Sequence, residues 1–272
     1  MSYENIIYYV ENGVAVIRID RPKALNALNS AVNRDILDAI REIQVDPSVR
    51  VLIITGSAKA LAAGADVTEM ADASPGFARE FCGLAIRIND MLEELPIPVI
   101  AAVGGYALGG GSELALACDF RVGGPHTVMA FPEVGLGIIP GANGNVRAAA
   151  LLGPAKAKEL VMLTDKVKGK EAYDLGLLNW YVEPELAGGD DPLEAEYQAI
   201  FSKAMEIAHK LCKKPAKALA AAKAVINRTC IETVRAGKLQ EAMEVSLLFD
   251  THDQKEGMQA MMEKRKPVFT NE

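Results

Sequence analysis

The sequence predicts an α/β fold: a core of parallel strands alternating with helices, giving way to a helical C-terminal part. Two patterns carry this expectation. Up to about residue 143, short β-rich apolar runs alternate with segments whose apolar residues recur every three or four positions. Beyond it, and above all from Leu193 to Met262, the chain reads as helix after helix rich in Ala, Lys, Met and Leu. Half of the 272 residues are hydrophobic, ample material for a large core. The division is expected near residue 195, with the α/β core over 1–194 and the helical region over 195–272.

Each element has its own signal. Ile6 to Val10 and Val14 to Ile19 are β-rich runs split by Glu11-Asn12-Gly13, which predicts a hairpin. Arg21-Pro22-Lys23 breaks the second strand. A helix begins after Asn29-Ser30, carries Val32, Ile36, Leu37, Ile40 and Ile43 on one face, and stops at Asp46-Pro47-Ser48. Val51 to Thr55 reads as a buried strand. A helix over about residues 76–95 spaces Phe77, Phe81, Leu84, Ile88 and Leu92 on one side. Ile97 to Val103 is the next strand, leading into a glycine-rich turn and a short helix. Asp119 to Val122 and Thr127 to Ala130 are further strands. Ala148 to Leu163 and Gly169 to Leu175 read as helices, Leu178 to Val182 as a strand, and Ala187 to Pro192 as a loop.

Composition excludes several classes. Lys and Arg total 29 against 36 Asp and Glu, a net charge of −7, so no general field attracts nucleic acid or an anionic membrane. An anionic substrate would need positive charge supplied locally. Cys82, Cys118, Cys212 and Cys230 show no metal-type spacing and read as thiols in a reducing compartment. His126, His209 and His252 form no HxxxH or HExxH pattern, so no metal is expected. The opening MSYENIIYYVENG has no basic segment followed by an apolar run and cleavage site, and no stretch of about 20 apolar residues could span a bilayer. A soluble, cytoplasmic protein is expected.

Three segments could carry chemistry. Ala60 to Met70 follows the Val51–Thr55 strand with small residues leading into polar ones, which let backbone N–H groups approach an oxygen anion; it also reads as an ordinary loop. Gly104 to Gly111, with Ser112 and Glu113, joins a strand to a helix, a setting that favours negative charge. It contains neither GxGxxG nor a Gly-Lys-Ser/Thr ending, which argues against a dinucleotide fold or a P-loop. Glu113 could be reactive or could merely complement the helix dipole. Glu133 follows an apolar strand and precedes the glycine-rich Gly135 to Gly144. Apolar walls there would raise its pKa as a general acid requires, whereas a solvated loop acid is the plain alternative. Jointly, two glycine-rich turns and two glutamates twenty residues apart suit a thioester enolate with proton transfer at the adjacent carbons.

These segments closely resemble the crotonase, or enoyl-CoA hydratase/isomerase, family. Ala62 to Asp66 resembles its first oxyanion segment, Ile100 to Glu113 its second, and Phe131-Pro132-Glu133 through Ala142 its third signature. Arg21 to Leu28 looks like its CoA-contacting segment, and Glu256-Gly257-Met258 with Glu263 to Lys266 like its ending. The likeness runs from about Ile6 to Phe269. It implies a spiral of ββα turns, a C-terminal helical region used for trimerisation, and trimers or hexamers built as two trimers. It implies that the Ala65 and Gly110 amides form an oxyanion hole and that Glu113 and Glu133 handle the protons. Ala63, Ala65, Asp66, Val67 and Thr68 would line the CoA and acyl pocket, with Ala24 near the coenzyme and Lys264 reaching it, often from a neighbouring subunit.

Hydratases of the family are similar to this chain in carrying glutamate at both positions, so reversible hydration of a trans-2-enoyl-CoA is expected. Coenzyme A enters as part of the substrate, with no further cofactor. A Δ3,Δ2-enoyl-CoA isomerase, or a hydratase for an alicyclic or branched acyl group, is the alternative. A non-catalytic CoA-ester-binding relative and a Rossmann dehydrogenase are more remote. Three departures bear on the acyl group and coenzyme: Asn143-Gly144-Asn145-Val146-Arg147 where the family usually has Gly-Gly-Thr-Gln-Arg, Thr68 for a frequent lysine, and Met261 for an aromatic.

Overall fold

The computed structural model describes residues 3–186 and 191–270, with the backbone alone for residues 228–240 and 244. Strands β1 (Ile6–Glu11) and β2 (Val14–Ile19) form the expected hairpin, pairing Ile6 with Ile19 and Glu11 with Val14. Asn12 and Gly13 close it at φ 50° and 81°, the left-handed pair that a two-residue turn requires. After one 3₁₀ turn (Pro22–Ala24), helix α1 (Ser30–Val45) is capped by the Asn29 side chain, which accepts the Val32 N–H, and it buries the predicted apolar face.

The chain then repeats a unit. Strand β3 (Val51–Thr55) is followed by β4 (Ala60–Ala62) and helices α2 (Val67–Met70) and α3 (Pro75–Glu94). Strand β5 (Val99–Ala102) is followed by β6 (Tyr106–Leu108) and α4 (Gly110–Ala117). Strand β7 (Phe120–Gly123) is followed by β8 (Val128–Ala130), α5 (Gly144–Leu152) and α6 (Pro154–Leu163). Short β9 (Val167–Lys168), α7 (Gly169–Asp174) and β10 (Trp180–Tyr181) complete the core, and α8 (Pro192–Cys212), α9 (Ala216–Leu248) and α10 (His252–Met262) follow.

The first strand of each unit enters a six-stranded sheet of order β1-β2-β3-β5-β7-β10, parallel from β2 onward. The second enters a four-stranded sheet of order β4-β6-β8-β9, in which β4, β6 and β8 are parallel. This is the ββα spiral. Two readings need correction. The second sheet left no periodic signal at β4 and β6, which are three residues long and built partly from alanine and so lie below any alternation count. The helix read as continuous from Ala148 to Leu163 is two helices, because Gly153 takes φ 78° and Pro154 starts the second.

The larger sheet is buried on both faces, and its strands divide their side chains accordingly. Ala15, Ile17, Leu52, Ile54 and Ala101 face a core shared with α1, α3 and α4. Val14, Val16, Val51, Ile53, Ile100 and Ala102 face Ile200, Ala204 and Ile207 of α8. That accounts for the unbroken apolar runs. Among the described residues, no helix is long and apolar enough to cross a membrane.

Candidate active site

Strands β4, β6 and β8 lie side by side, and the three segments read as chemically suggestive leave their C-terminal ends. Ala63-Gly64-Ala65 follows β4, Gly109-Gly110 follows β6, and Phe131-Pro132-Glu133 follows β8. Parallel strands thus deliver residues far apart in sequence to one edge. Ser112 locks the arrangement, its single hydroxyl proton shared between the carbonyls of Ala107 (Oγ···O 2.6 Å) and Ala130 (3.0 Å). The first segment is clamped by the stretch after the 3₁₀ turn: Ala63 N–H donates to Leu25, Leu28 N–H to Gly64, and Asp66 N–H to Leu28.

A cavity of about 100 Å³ opens at this edge. Its walls include Ala63, Ala65, Val67, Gly110, Glu113 and Glu133, together with Met70, Phe81, Ile138, Val245 and Met258. Among the described residues, neither the Ala65 nor the Gly110 amide is taken up by a loop or turn carbonyl. The space in front of Gly110 is narrow: a Cβ built there would stand 3.7 Å from the Ala65 nitrogen and 4.0 Å from Glu113 Oε2. The Ala65 nitrogen and the Glu113 carboxyl therefore both lie close to Gly110 on the wall of one cavity.

The glutamates are both buried but differently held. Glu113 Oε1 accepts the amides of Ala142 and Gly144, both at 2.8 Å. Burial raises its pKa, while these two amides and Arg147 favour its charge. Arg147 is itself fixed by Glu93 (2.8 Å), Asp90 (3.2 Å) and the Ala142 carbonyl (3.0 Å). Glu133 has less support: only its own backbone amide favours its charge, and among the described residues its Oε2 is buried without a hydrogen-bond partner. Burial, then the charge of Glu113, holds its carboxyl well above the ordinary range. Burial raises both carboxyls, and the two differ in what opposes it: two loop amides and Arg147 at Glu113, its own backbone amide at Glu133.

Gly109 is required beside Glu133. It sits at φ 49°, and a Cβ there would come within 2.7 Å of Glu133 Oε1. Gly109→Ala is expected to displace the Glu133 carboxyl and to lower turnover by about 10²-fold, the cost of misplacing a reacting group by an ångström or so. Steady-state kinetics with circular dichroism checks this; wild-type turnover in a folded variant would remove Gly109 from the account.

Some expected residues lie elsewhere. Ala24 is half-buried in the 3₁₀ turn and does not line the cavity. Asp66 pairs with Arg21 at 3.2 Å and caps α2 by accepting the Thr68 N–H, and Thr68 is exposed. Lys264 is exposed beyond the end of α10. The side chain of Cys230 lies outside the described residues. Cys82 does reach the cavity wall, where burial pushes its thiol up to about 12. Sequence reasoning missed Asn33, Val245 and Met258 in the wall, and it missed Glu241, a buried carboxylate on α9 that accepts the Asn145 N–H at 2.9 Å. Val245 and Glu241 on α9 carry no motif, and Met258 stands in the Glu256-Gly257-Met258 ending without a site role read from it; only the fold brings the three here.

The sequence model of the enoyl-CoA hydratase/isomerase family matches residues 9–272, and the chain belongs to that family. It is 42% identical to a crotonyl-CoA hydratase of Syntrophomonas wolfei subsp. wolfei over 99% of both chains. It is 39% identical to a short-chain-enoyl-CoA hydratase of Clostridium acetobutylicum, over 98% of this chain and 97% of that one. Among solved structures, an enoyl-CoA hydratase from Mycobacterium avium subsp. paratuberculosis superposes with a TM-score of 0.86 at 25% identity, covering 99% of this chain and 100% of the other. A carnitinyl-CoA hydratase from Mycobacterium avium gives 0.83 at 30% identity over the whole of both chains.

Proposed function

We propose that this protein catalyses the reversible hydration of a short-chain trans-2-enoyl-CoA to a 3-hydroxyacyl-CoA. The observation that carries the reading is the unequal pair of buried glutamates on one apolar cavity, beside two uncommitted backbone amides. The thioester oxygen accepts from the Ala65 and Gly110 N–H groups, each worth about 3–4 kcal/mol once the oxygen gains enolate charge. Glu113, ionised and aimed by two amides, takes a proton from water as its oxygen bonds to C3. The C2–C3 π electrons move into the enolate, and Glu133 delivers its proton to C2. In dehydration both transfers reverse.

The small cavity walled by Met70, Phe81 and Ile138 supports a short acyl arm, and the crotonyl-CoA and short-chain relatives point the same way. The coenzyme is part of the substrate, so the reading needs no separate cofactor. Lys264, Thr68, Asp66 and Ala24 remain proposed coenzyme contacts, with Lys264 acting across a subunit boundary. A homotrimer, alone or paired into a hexamer, is supported by apolar side chains left open on α9 and α6: Val225, Ile226 and Leu247, and Met162 and Leu163, are each more than 60% exposed. Residues 1–194 are proposed as the catalytic core and 195–272 as the helical region that assembles it.

The test is crotonyl-CoA with purified protein, following loss of the conjugated thioester absorbance and the product mass. Gain of one water at a rate typical of enzymes supports the reading. Binding without hydration would overturn it and direct attention to 3-enoyl and alicyclic esters.

A further inference from the structure

The turn from Pro140 to Asn145 is gripped by two carboxylates from opposite sides. The amides of Ala142 and Gly144 both reach Glu113 Oε1 at 2.8 Å. The next amide, that of Asn145, reaches Glu241 Oε2 at 2.9 Å, and the Asn143 amide also favours the charged form of Glu241. Asn145 closes the turn on itself by donating from Nδ2 to the Pro140 carbonyl at 3.1 Å. Glu241 is 4% exposed, and its Oε1 is buried without a partner. One helical turn further along α9, Val245 touches the same turn: a Cβ built on Gly141 would lie 3.1 Å from it. A buried carboxylate is costly to keep, and a distant helix is spending one on this short stretch of backbone.

We propose that Glu241 is a positioning residue for hydration: from α9 it fixes the start of α5 and so holds the two amides that aim the Glu113 carboxylate at the attacking water. The inference rests on the hydratase reading above. Glu241 does not line the cavity and acts through the turn. Among the described residues, the titratable groups that act on it or feel it are Cys82 from α3, Glu113 from α4 and Glu133 from the segment after β8. Burial first, and then the charge of Glu113, pushes the Glu241 carboxyl up to about 8. Near pH 7 a neutral side chain that still accepts the Asn145 N–H is therefore an adequate substitute, which predicts different fates for two variants.

Glu241→Ala removes the acceptor and is expected to lower kcat on crotonyl-CoA on the order of 10-fold to 100-fold, as a displaced reacting group does, with KM within about 2-fold. Glu241→Gln keeps an acceptor and is expected to stay within about 3-fold of wild-type kcat at pH 7, while losing any inflection that the wild-type profile shows around pH 8. A second readout needs no turnover: amide hydrogen exchange over residues 140–147 accelerates in Glu241→Ala and stays near wild type in Glu241→Gln. Absence of wild-type hydration would defeat the hydratase reading and leave the exchange result standing for the grip on the turn. Wild-type kcat in Glu241→Ala, a loss carried by KM alone, unchanged exchange over 140–147, or Glu241→Gln as impaired as Glu241→Ala would each overturn the inference.

Discussion

Glu133→Gln is expected to lower hydration of crotonyl-CoA by roughly 10⁴-fold, the upper end of what a single general acid contributes. The carboxyl it replaces is buried against apolar walls, has one oxygen without a partner, and is held well above its ordinary pKa by burial and by the neighbouring Glu113. That shift favours the protonated form which C2 protonation requires. Glutamine fills the same space beside Gly109 but has no proton to give at a comparable cost, so substrate binding should persist while turnover disappears. A linked effect concerns stability. The folded-state pKa of Glu133 lies above its unfolded value of 4.5, so its contribution is fully favourable below that value and is lost as pH rises toward the folded pKa. Glutamine does not titrate. The Tm of Glu133→Gln relative to wild type should therefore increase from pH 5 to pH 8. A difference that stays flat would show an unshifted carboxyl, and a shrinking one a carboxyl held below its ordinary pKa; either would overturn the assignment.

That asymmetry could not be read from the sequence. The hairpin, the buried strands and the faces of α1 and α3 were legible because periodicity and turn chemistry are local, as at Asn12-Gly13 and Asn29. The three candidate segments stood out only jointly and through the family resemblance, since each alone also reads as an ordinary loop or as an acid complementing a helix dipole. Their convergence was not legible, since it depends on β4, β6 and β8, three residues each, lying adjacent in one sheet. The spiral came from family resemblance. The separate environments of Glu113 and Glu133 depend on which backbone amides reach which oxygen, and no spacing rule encodes that. Glu241 is the extreme case: a glutamate on a long helix rich in Ala and Lys looks solvated, and only the packing of α9 onto the start of α5 buries it.

Glu113→Gln separates the two proton-transfer steps. Glutamine Oε1 still accepts from Ala142 and Gly144, so the turn should keep its shape, but the group facing the cavity can no longer take a proton from water. Hydration is expected to fall by roughly 10³-fold, equivalent to about 4 kcal/mol of transition-state stabilisation, with KM little changed because the Ala65 and Gly110 amides are untouched. The other half of the chemistry should survive. With 3-hydroxybutyryl-CoA in D₂O, Glu133 still removes and returns the C2 proton while the oxyanion site holds the enolate. Glu113→Gln should therefore retain C2 deuterium exchange well above its residual dehydration rate, and Glu133→Gln should lose exchange and dehydration together. The double variant should be little worse than the weaker single one, as groups serving one transition state are not additive. Equal loss of exchange in both single variants would mean that the glutamates do not divide the work as proposed, since removal of the water-activating group alone leaves every atom needed for enolate formation in place.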